Sequence, residues 1–362
     1  MKAQELLSSP LKVDPVHSNG EAPVKVIIPL AGKGTRLRPH TYTTPKPLLR
    51  VGGKPVMSYI LDDLAELGVD EIIFITGYLK QNIEQYVAKA YPQFKVQYVE
   101  QPVQNGTAGA VWHAREFIDS DVLIMFVDTL FDADLTLIKR LPADSAGVIW
   151  AKEVEDYQRF GVIVRDADNN MKRIVEKPTD AVSKLANIGL YYIKDWQLLF
   201  KGIDDVMRGP AGKTSEYYLT DAFQYMVDHG AKIKVEEVTG WYDCGQPDTW
   251  LETNQHLLEN KGRALAPQGG RNVKIHKPVR VCEGVTLENV EIGPNVTIEE
   301  GSVLRNTKVR NSIIGMNATI DGATLHDSLI GDNTVIRNIS GVVSLGDHSE
   351  VDGAAVQQGG TA

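Results

Sequence analysis

Six cations, Lys33, Arg36, Arg38, Lys46, Arg50 and Lys54, fall between Ala31 and Lys54, and no Asp or Glu lies among them. The stretch opens with Leu30-Ala31-Gly32-Lys33-Gly34-Thr35-Arg36-Leu37-Arg38-Pro39, so two glycines bracket a lysine straight after an apolar run. Glycines let backbone N–H groups close on a phosphate, and nearby cations neutralise it. The chemistry predicted is the binding of a polyphosphate; a plain solvated basic loop is the alternative, but an open α/β sheet places its ligands at such a strand end. Two familiar loops do not fit. A P-loop needs G-x-x-x-x-G-K-[ST], and the dinucleotide fingerprint needs a glycine three residues after Gly34, where Leu37 stands. A second candidate is Asp128, which follows the apolar run 122–127. A carboxylate there is costly unless it meets a cation or a hydrogen-bond donor.

The elements that must position these groups are legible as βα units. Strand-like runs at 24–30, 71–77 and 95–101 alternate with helix-period segments, Val56/Ile60/Leu64/Leu67 and 82–90. A helix over 107–118 and a strand over 122–127 follow; the latter is apolar throughout, as suits a central strand buried on both faces. This pattern predicts an α/β fold with an open, mostly parallel, doubly wound sheet. Strand signals dominate residues 146–194, at 161–165, 171–175 and 188–193, and helices return at 215–228 and 247–259. That middle block is expected to extend the sheet and to build a lid over it.

Every Phe, Trp and Tyr lies at or before Trp250, and none follows Lys261. Glycine and proline at Gly262, Pro267, Gly269 and Gly270 mark a boundary there. Beyond it, Ile292-Gly293, Ile314-Gly315, Ile330-Gly331 and Leu345-Gly346 are each followed by an aliphatic six residues after the first. This hexapeptide repeat predicts a parallel β-helix, about 18 residues per coil and about four coils, with an interior too narrow for aromatic rings. The expected organisation is a flexible arm at 1–23, an α/β domain at 24–262, the β-helix at 263–352 and a disordered tail at 353–362.

With 362 residues the chain is long enough for two or three domains. Its net charge of −9, from 38 basic and 47 acidic residues, argues against nucleic acid or an anionic membrane as main partner. No apolar run approaches the roughly 18 residues that span a bilayer, and the first 23 residues lack a signal-peptide core, so a cytoplasmic protein is expected. Cys244 and Cys282 supply neither a disulfide framework nor a zinc site and are expected as buried small hydrophobes.

The string Gly32-x-Gly34-Thr35-Arg36-Leu37-x-Pro39, with Pro45-Lys46-Pro47 after it, resembles the signature of the sugar-1-phosphate nucleotidylyltransferases, over about residues 24–260. It is most similar to the glucose-1-phosphate thymidylyl- or uridylyltransferase branch, and hexapeptide repeats trail several members. The resemblance implies a Rossmann-like mixed sheet followed by a left-handed β-helix. It also implies that a nucleoside triphosphate, dTTP or UTP, and a sugar 1-phosphate, glucose 1-phosphate, give nucleotide-sugar and pyrophosphate with Mg²⁺. By the same resemblance Arg36 holds the triphosphate and Lys46 sits near its α-phosphate, both stabilising developing charge. Leu30, Ala31, Gly32, Gly34 and Thr35 line the phosphates. Asp128 and Asp243, the latter in Trp241-Tyr242-Asp243-Cys244-Gly245, hold the metal; a helix cap or Asx-turn is the other reading of Asp243. Gln101 reads the base edge, and Gly106 lets the base lie close to the backbone, with Thr107 beside it either as contact or as plain N-cap. Gly161, Glu176, Lys177, Asn187 and Gly189 line the hexose, Glu176 taking sugar hydroxyls and Lys177 the sugar's phosphate. Val127 departs from the glycine commonly found before the acid.

Alternatives come from other classes. Gly106-Thr107-Ala108-Gly109 also resembles the loop of mannose-1-phosphate guanylyltransferases. A silent regulatory subunit is opposed by the joint presence of Arg36, Lys46, Asp128, Lys177 and Asp243. An acyl transfer from coenzyme A on the β-helix, with His276, His326 or His348 as base, is opposed by the small number of coils. The open end and flat sides of a β-helix predict a homo-oligomer.

Overall fold

The computed structural model describes residues 24–212, 215–267 and 269–353. The expected arm, and the expected tail beyond Gly353, lie outside the described residues. The α/β part begins with β1 (Lys25–Pro29), the short hairpin β2 (Arg50–Val51) and β3 (Lys54–Pro55), α1 (Val56–Leu67), β4 (Glu71–Thr76), α2 (Lys80–Ala90) and β5 (Lys95–Glu100). Helix α1 forms where its apolar residues recur at helical spacing. It buries Val56, Met57, Ile60, Leu61, Leu64 and Leu67, then stops at Gly68, whose left-handed φ of 82° turns its N–H back to the Leu64 and Ala65 carbonyls.

There follow α3 (Thr107–Trp112), β6 (Val122–Met125), β7 (Thr129–Asp132), β8 (Gly147–Glu153), β9 (Gly161–Arg165), β10 (Met171–Glu176) and β11 (Leu185–Ile193). The part closes with α4 (Trp196–Arg208), α5 (Leu219–Asp228), β12 (Ile233–Glu237), β13 (Gly240–Asp243) and α6 (Pro247–Asn260). The sheet runs β10-β9-β11-β6-β1-β4-β5, with β8 paired to β11 and β12. β6, β1, β4 and β5 are mutually parallel, and β11 enters antiparallel to β6. β1 is therefore flanked by β4 on one side and β6 on the other, the strand-order reversal outside which open α/β sheets bind ligands. Alternate side chains divide between two cores: Ile27 faces one and Val26 and Ile28 the other.

The middle block extends the sheet as expected, but its helices α4 and α5 pack against that core rather than forming a lid. Helix α4 and strand β12 were not expected, and the helix predicted over 107–118 is α3 followed by a separate 3₁₀ turn, Arg115–Phe117. A chain joining two elements at Ala114 buries that residue completely, so apolar content there signals packing rather than helical continuity.

Beyond α6 the strands are all parallel and stack in three faces, a left-handed parallel β-helix. Its core holds only Val, Leu, Ile and Ala, which explains the missing aromatics. Val279 pairs with Val296, Val296 with Ser312, and Leu329 with Ser344, so a coil takes 17, 16 or 15 residues rather than 18. Inward Ile314, Ile320, Leu325 and Ile330 are buried and stand six, five and five residues apart, and the corners between them each turn through one left-handed residue, Asn317, Gly322 and Asp327. Asparagine fills many of them, as it adopts that conformation at least cost after glycine, and its amide adds a ladder from Asn272 through Asn289 and Asn306 to Asp321. Both cysteines are free and buried, as expected. No helix among the described residues is long and apolar enough to cross a membrane.

The β-helix lies directly on the α/β part. Ile313 and Leu329, outward residues of one face, join Leu37, Leu49, Val51, Val56, Trp250, Leu251 and Leu257 in one cluster. Polar contacts seal its edge: Thr297 Oγ1 donates to Asn254 Oδ1 at 2.7 Å, and Arg50 pairs with the fully buried Glu299 at 2.8 Å.

Candidate active site

The glycine-rich loop leaves β1 with Leu30 and Ala31 buried and Gly32, Thr35 and Arg36 exposed. Gly34 has φ 59°, and a Cβ there would stand 3.0 Å from Thr41 Cγ2 and 3.2 Å from Lys46 Cβ. Its carbonyl accepts from Thr41 Oγ1 at 2.8 Å, so the loop folds back on the segment that carries Lys46. Lys46 Nζ donates to Asp128 Oδ2 at 2.9 Å. Burial alone would raise the Asp128 carboxyl, but the Lys46 ammonium, its hydrogen bond and the charge of Arg36 outweigh it and hold the acid below the usual carboxylate range.

The six cations do not all gather here. Arg50 is spent on Glu299 of the β-helix, Lys54 pairs with Asp62, and Arg38 lies over the Tyr42 ring. Among the described residues Lys33 and Arg36 make no salt bridge and face solvent beside the loop. Charge counted along the chain overstates the cluster, because the two cations of the hairpin β2–β3 are taken by Glu299 and Asp62.

Asp128 sits in the turn between β6 and β7, and β7 pairs with β13 so that Thr129 stands opposite Asp243. Cys244 N donates to Asp128 O at 2.9 Å, which brings both acids to the same edge. Asp243 Oδ1 accepts from Gly245 N at 2.7 Å, the Asx-turn reading, and Oδ2 accepts from Thr249 Oγ1 at 3.2 Å. A Cβ on Gly245 would stand 2.6 Å from Asp243 Oδ1 and 3.3 Å from Lys46 Nζ, so one small space is bordered by both groups. Burial pushes the neighbouring Cys244 thiol up to about 12, so it stays protonated, and the two carboxylates are the donors that fit a hard divalent cation. No group of three or more His, Cys, Asp or Glu suited to a metal occurs among the described residues.

Gln101 is buried, and its Nε2 donates to Asn105 Oδ1 at 3.1 Å and Gly106 O at 3.4 Å. Gly106 has φ 107°, but a Cβ there would meet Tyr217 O at 2.4 Å. The close approach this glycine permits here is that of Tyr217, in the segment before α5. Thr107 is not an N-cap, since Gly106 occupies that position. Its Oγ1 instead accepts from Leu219 N at 2.9 Å and ties α3 to α5.

The residues expected around the hexose converge. A Cβ on Gly161 would stand 2.5 Å from Asn187 Nδ2 and 2.8 Å from Glu176 Oε2. Asn187 Nδ2 donates to Gly161 O at 3.0 Å, and Tyr191 donates its hydroxyl to Asn187 Oδ1. Burial, with Glu176 and Asp128 nearby, pushes the Tyr191 hydroxyl up, so it stays a donor. Asn187 thus holds the wall together. Burial raises Glu176 against the opposing hydrogen bond from Thr220 Oγ1 at 3.1 Å and the charge of Lys177. Lys177 has φ 43° and places Nζ 5.1 Å from the Tyr218 ring centroid. Gly189, φ 80°, lies at the bulge where β11 changes partner, and Phe126 packs 3.0 Å from where its Cβ would be. From there Phe126 and Val127 lead back along the chain to Asp128.

Four contributors escaped the sequence reading: Thr220, Tyr191, Tyr217 and Gln104. Tyr191 is four residues after Asn187 on one strand, a spacing that signals a shared face. Gln104 donates Nε2 to Ala31 O at 2.7 Å and links the segment after β5 to the glycine-rich loop; its sequence carries no such signal.

The family model for Nucleotidyl transferase matches residues 25–260. A bifunctional protein GlmU of Methanococcus aeolicus is 33% identical over 329 residues, which cover 85% of this chain and 77% of that protein. A glucose-1-phosphate thymidylyltransferase of Streptomyces antibioticus is 28% identical over 359 residues, 91% of this chain and 99% of the relative. Among solved structures, a UDP-glucose pyrophosphorylase complexed with UDP-glucose aligns with a TM-score of 0.59 at 24% identity, covering 64% of this chain and 97% of its own, and shows the same fold.

Proposed function

The chain belongs to the nucleotidyl transferase family, and from that premise we propose that it transfers a pyrimidine nucleotide, from dTTP or UTP, to a hexose 1-phosphate, glucose 1-phosphate in the first instance. An oxygen of the sugar phosphate bonds to the α-phosphorus while the bond from that phosphorus to the bridging oxygen breaks, and pyrophosphate leaves with the electron pair. The observation that carries this reading is the Lys46–Asp128 pair set beside Asp243 at the exit of β1 and β6. A cation and two carboxylates border the space where an α-phosphate would react.

The roles follow from charge and reach. Arg36, with no salt bridge among the described residues, neutralises the β- and γ-phosphates and the departing pyrophosphate; Lys46 moves from Asp128 to the α-phosphate. Asp128 and Asp243 would hold Mg²⁺, which supplies further neutralisation of the phosphate oxygens. Lys177 binds the phosphate of the incoming sugar, and Glu176, itself steadied by Thr220, accepts hydroxyls. Orientation within one cleft supplies the remainder, as is usual for phosphoryl chemistry.

For the base, the supporting feature is Gln101. Its nitrogen is committed to Asn105 and Gly106, so Oε1 is the atom left for a ligand. An acceptor suits the ring N–H of uracil, thymine or guanine, whereas adenine and cytosine present an acceptor of their own there. The name of the thymidylyltransferase relative points to the pyrimidines. The two parts, 24–262 and 263–352, then act as catalytic and assembly units of a cytoplasmic homo-oligomer, for which a monomeric mass at micromolar concentration is the contrary result. The substrate assignment is tested by pyrophosphate release across dTTP, UTP, GTP, ATP and CTP with glucose 1-phosphate. Turnover with dTTP or UTP supports it; turnover with GTP alone overturns the base assignment.

A further inference from the structure

The segment that follows the glycine-rich loop is held from the far side by the β-helix. Asp347 Oδ2 accepts from Thr43 Oγ1 at 2.6 Å and from Thr44 Oγ1 at 3.1 Å. Its other oxygen, Oδ1, accepts from Asp332 N at 2.8 Å, the same bond that Asp332 makes with Met316 N one coil earlier. Asp332 serves only its own stack in this way, whereas Asp347 uses one oxygen for the stack and the other for the α/β part. Ser344 Oγ lies 3.1 Å from Nε2 of His40, which is buried. The backbones meet as well: a Cβ on Gly346 would stand 3.1 Å from Pro39 O and 3.2 Å from Pro39 Cβ.

These contacts bracket Thr41, whose hydroxyl holds the carbonyl of Gly34 and whose methyl touches the space beside Gly34 and Lys46. Leu37, next to Arg36, is fully buried in the cluster that includes Ile313 and Leu329 of the β-helix. A rigid stack therefore fixes both ends of the segment 37–44, and Arg36 and Lys46 lie immediately outside those ends.

We propose that Asp347, with Ser344 beside it, is a positioning residue for triphosphate binding: the β-helix holds the 34–46 loop in shape through Thr43 and Thr44. The inference rests on the transferase reading of the cleft. The β-helix is then part of the nucleotide site's support as well as an assembly module.

The test is a Thr43→Val/Thr44→Val double variant of the full chain, which removes both donors and leaves the β-helix untouched. A Thr43→Ser/Thr44→Ser variant keeps the hydroxyls as rescue. The valine variant is expected to raise the KM for the nucleoside triphosphate about tenfold, with the sugar-phosphate KM changed less than about twofold, and the serine variant to restore it. Amide exchange of Leu37, Arg38 and Tyr42, whose N–H groups bond within the loop, should speed up about tenfold in the valine variant alone, with or without turnover. Unchanged exchange overturns the inference, as does an equal rise in both KM values. A wild-type chain that releases no pyrophosphate would instead count against the transferase reading, and the exchange result would still decide the positioning role.

Discussion

Removing Arg50 should cost more than removing its partner, although the two share one ion pair. Arg50 NH2 lies 2.8 Å from Glu299 Oε2; the Glu299 side chain is 0% exposed and that of Arg50 23%. Arg50 keeps a second acceptor, Gly53 O at 3.0 Å, and some access to water. Among the described residues Glu299 keeps only the weak Cys282 thiol, 3.6 Å away. Arg50→Met therefore strands a carboxylate in a dry interface, for which the cost of a broken buried pair, about 3–5 kcal/mol, applies. Glu299→Gln leaves a guanidinium with partial hydration and another partner, at about 1–3 kcal/mol. The double variant, Arg50→Met with Glu299→Leu, removes both charges and should return to within about 1 kcal/mol of the parent. At about 2.1 cal/mol/K of unfolding entropy per residue, 4 kcal/mol corresponds to roughly 5 °C in Tm for a cooperative chain of this length. Calorimetry on these proteins, with Glu299→Leu added as the matching single change, completes a double-mutant cycle. Equal, sub-kilocalorie effects of both single changes would refute the reasoning, since they would mean that water reaches Glu299.

His40 supplies a pH dependence. Burial lowers it to about 4 against an ordinary 6.5, with Asp347 opposing only in part. The unfolded chain binds the proton more readily, so the contribution is complete above about pH 6.5 and is lost as pH falls towards 4. It amounts to roughly 3 kcal/mol. Denaturant titrations should show that decline, and His40→Gln should flatten it; an unchanged profile would contradict the burial. At the sugar wall, Gly161→Ala sets a methyl 2.5 Å from Asn187 Nδ2 and 2.8 Å from Glu176 Oε2. The sugar-phosphate KM should rise about tenfold or more with little change for the nucleotide, and steady-state kinetics that moved both equally would argue against a separate sugar wall.

Much of this architecture is written locally. The βα alternation, the apolar β6 and the Ile-Gly repeats are periodic signals, and periodicity survives without tertiary context. What escaped is what depends on partners distant in sequence. Helix α4 is amphipathic but buries only Leu199, Gly202 and Ile203, so its apolar stripe is short. Arg50 looks like its five cationic neighbours until Glu299, some 250 residues later, claims it. Gly106 and Thr107 sit in a motif associated with base binding, yet Tyr217 and Leu219 decide what they touch. The loop cations and Asp128 stand out by residue type, cations beside glycine and an acid after an apolar strand, whereas Asp243, Glu176 and Lys177 are implied only by the resemblance; Thr220 and Gln104 carry no signal, because a supporting hydrogen bond has no sequence signature.

The most direct measurement is pyrophosphate release from dTTP or UTP with glucose 1-phosphate and Mg²⁺, by the wild-type chain and by Asp128→Asn. Asn keeps the shape, removes the charge that Lys46 answers, and leaves Asp243 alone with any cation. Rapid release by the wild type, falling at least about a hundredfold in the variant while the fold and Tm are kept, is the expected result. Release that survives the substitution undiminished would contradict the assignment of the chemistry to this cleft.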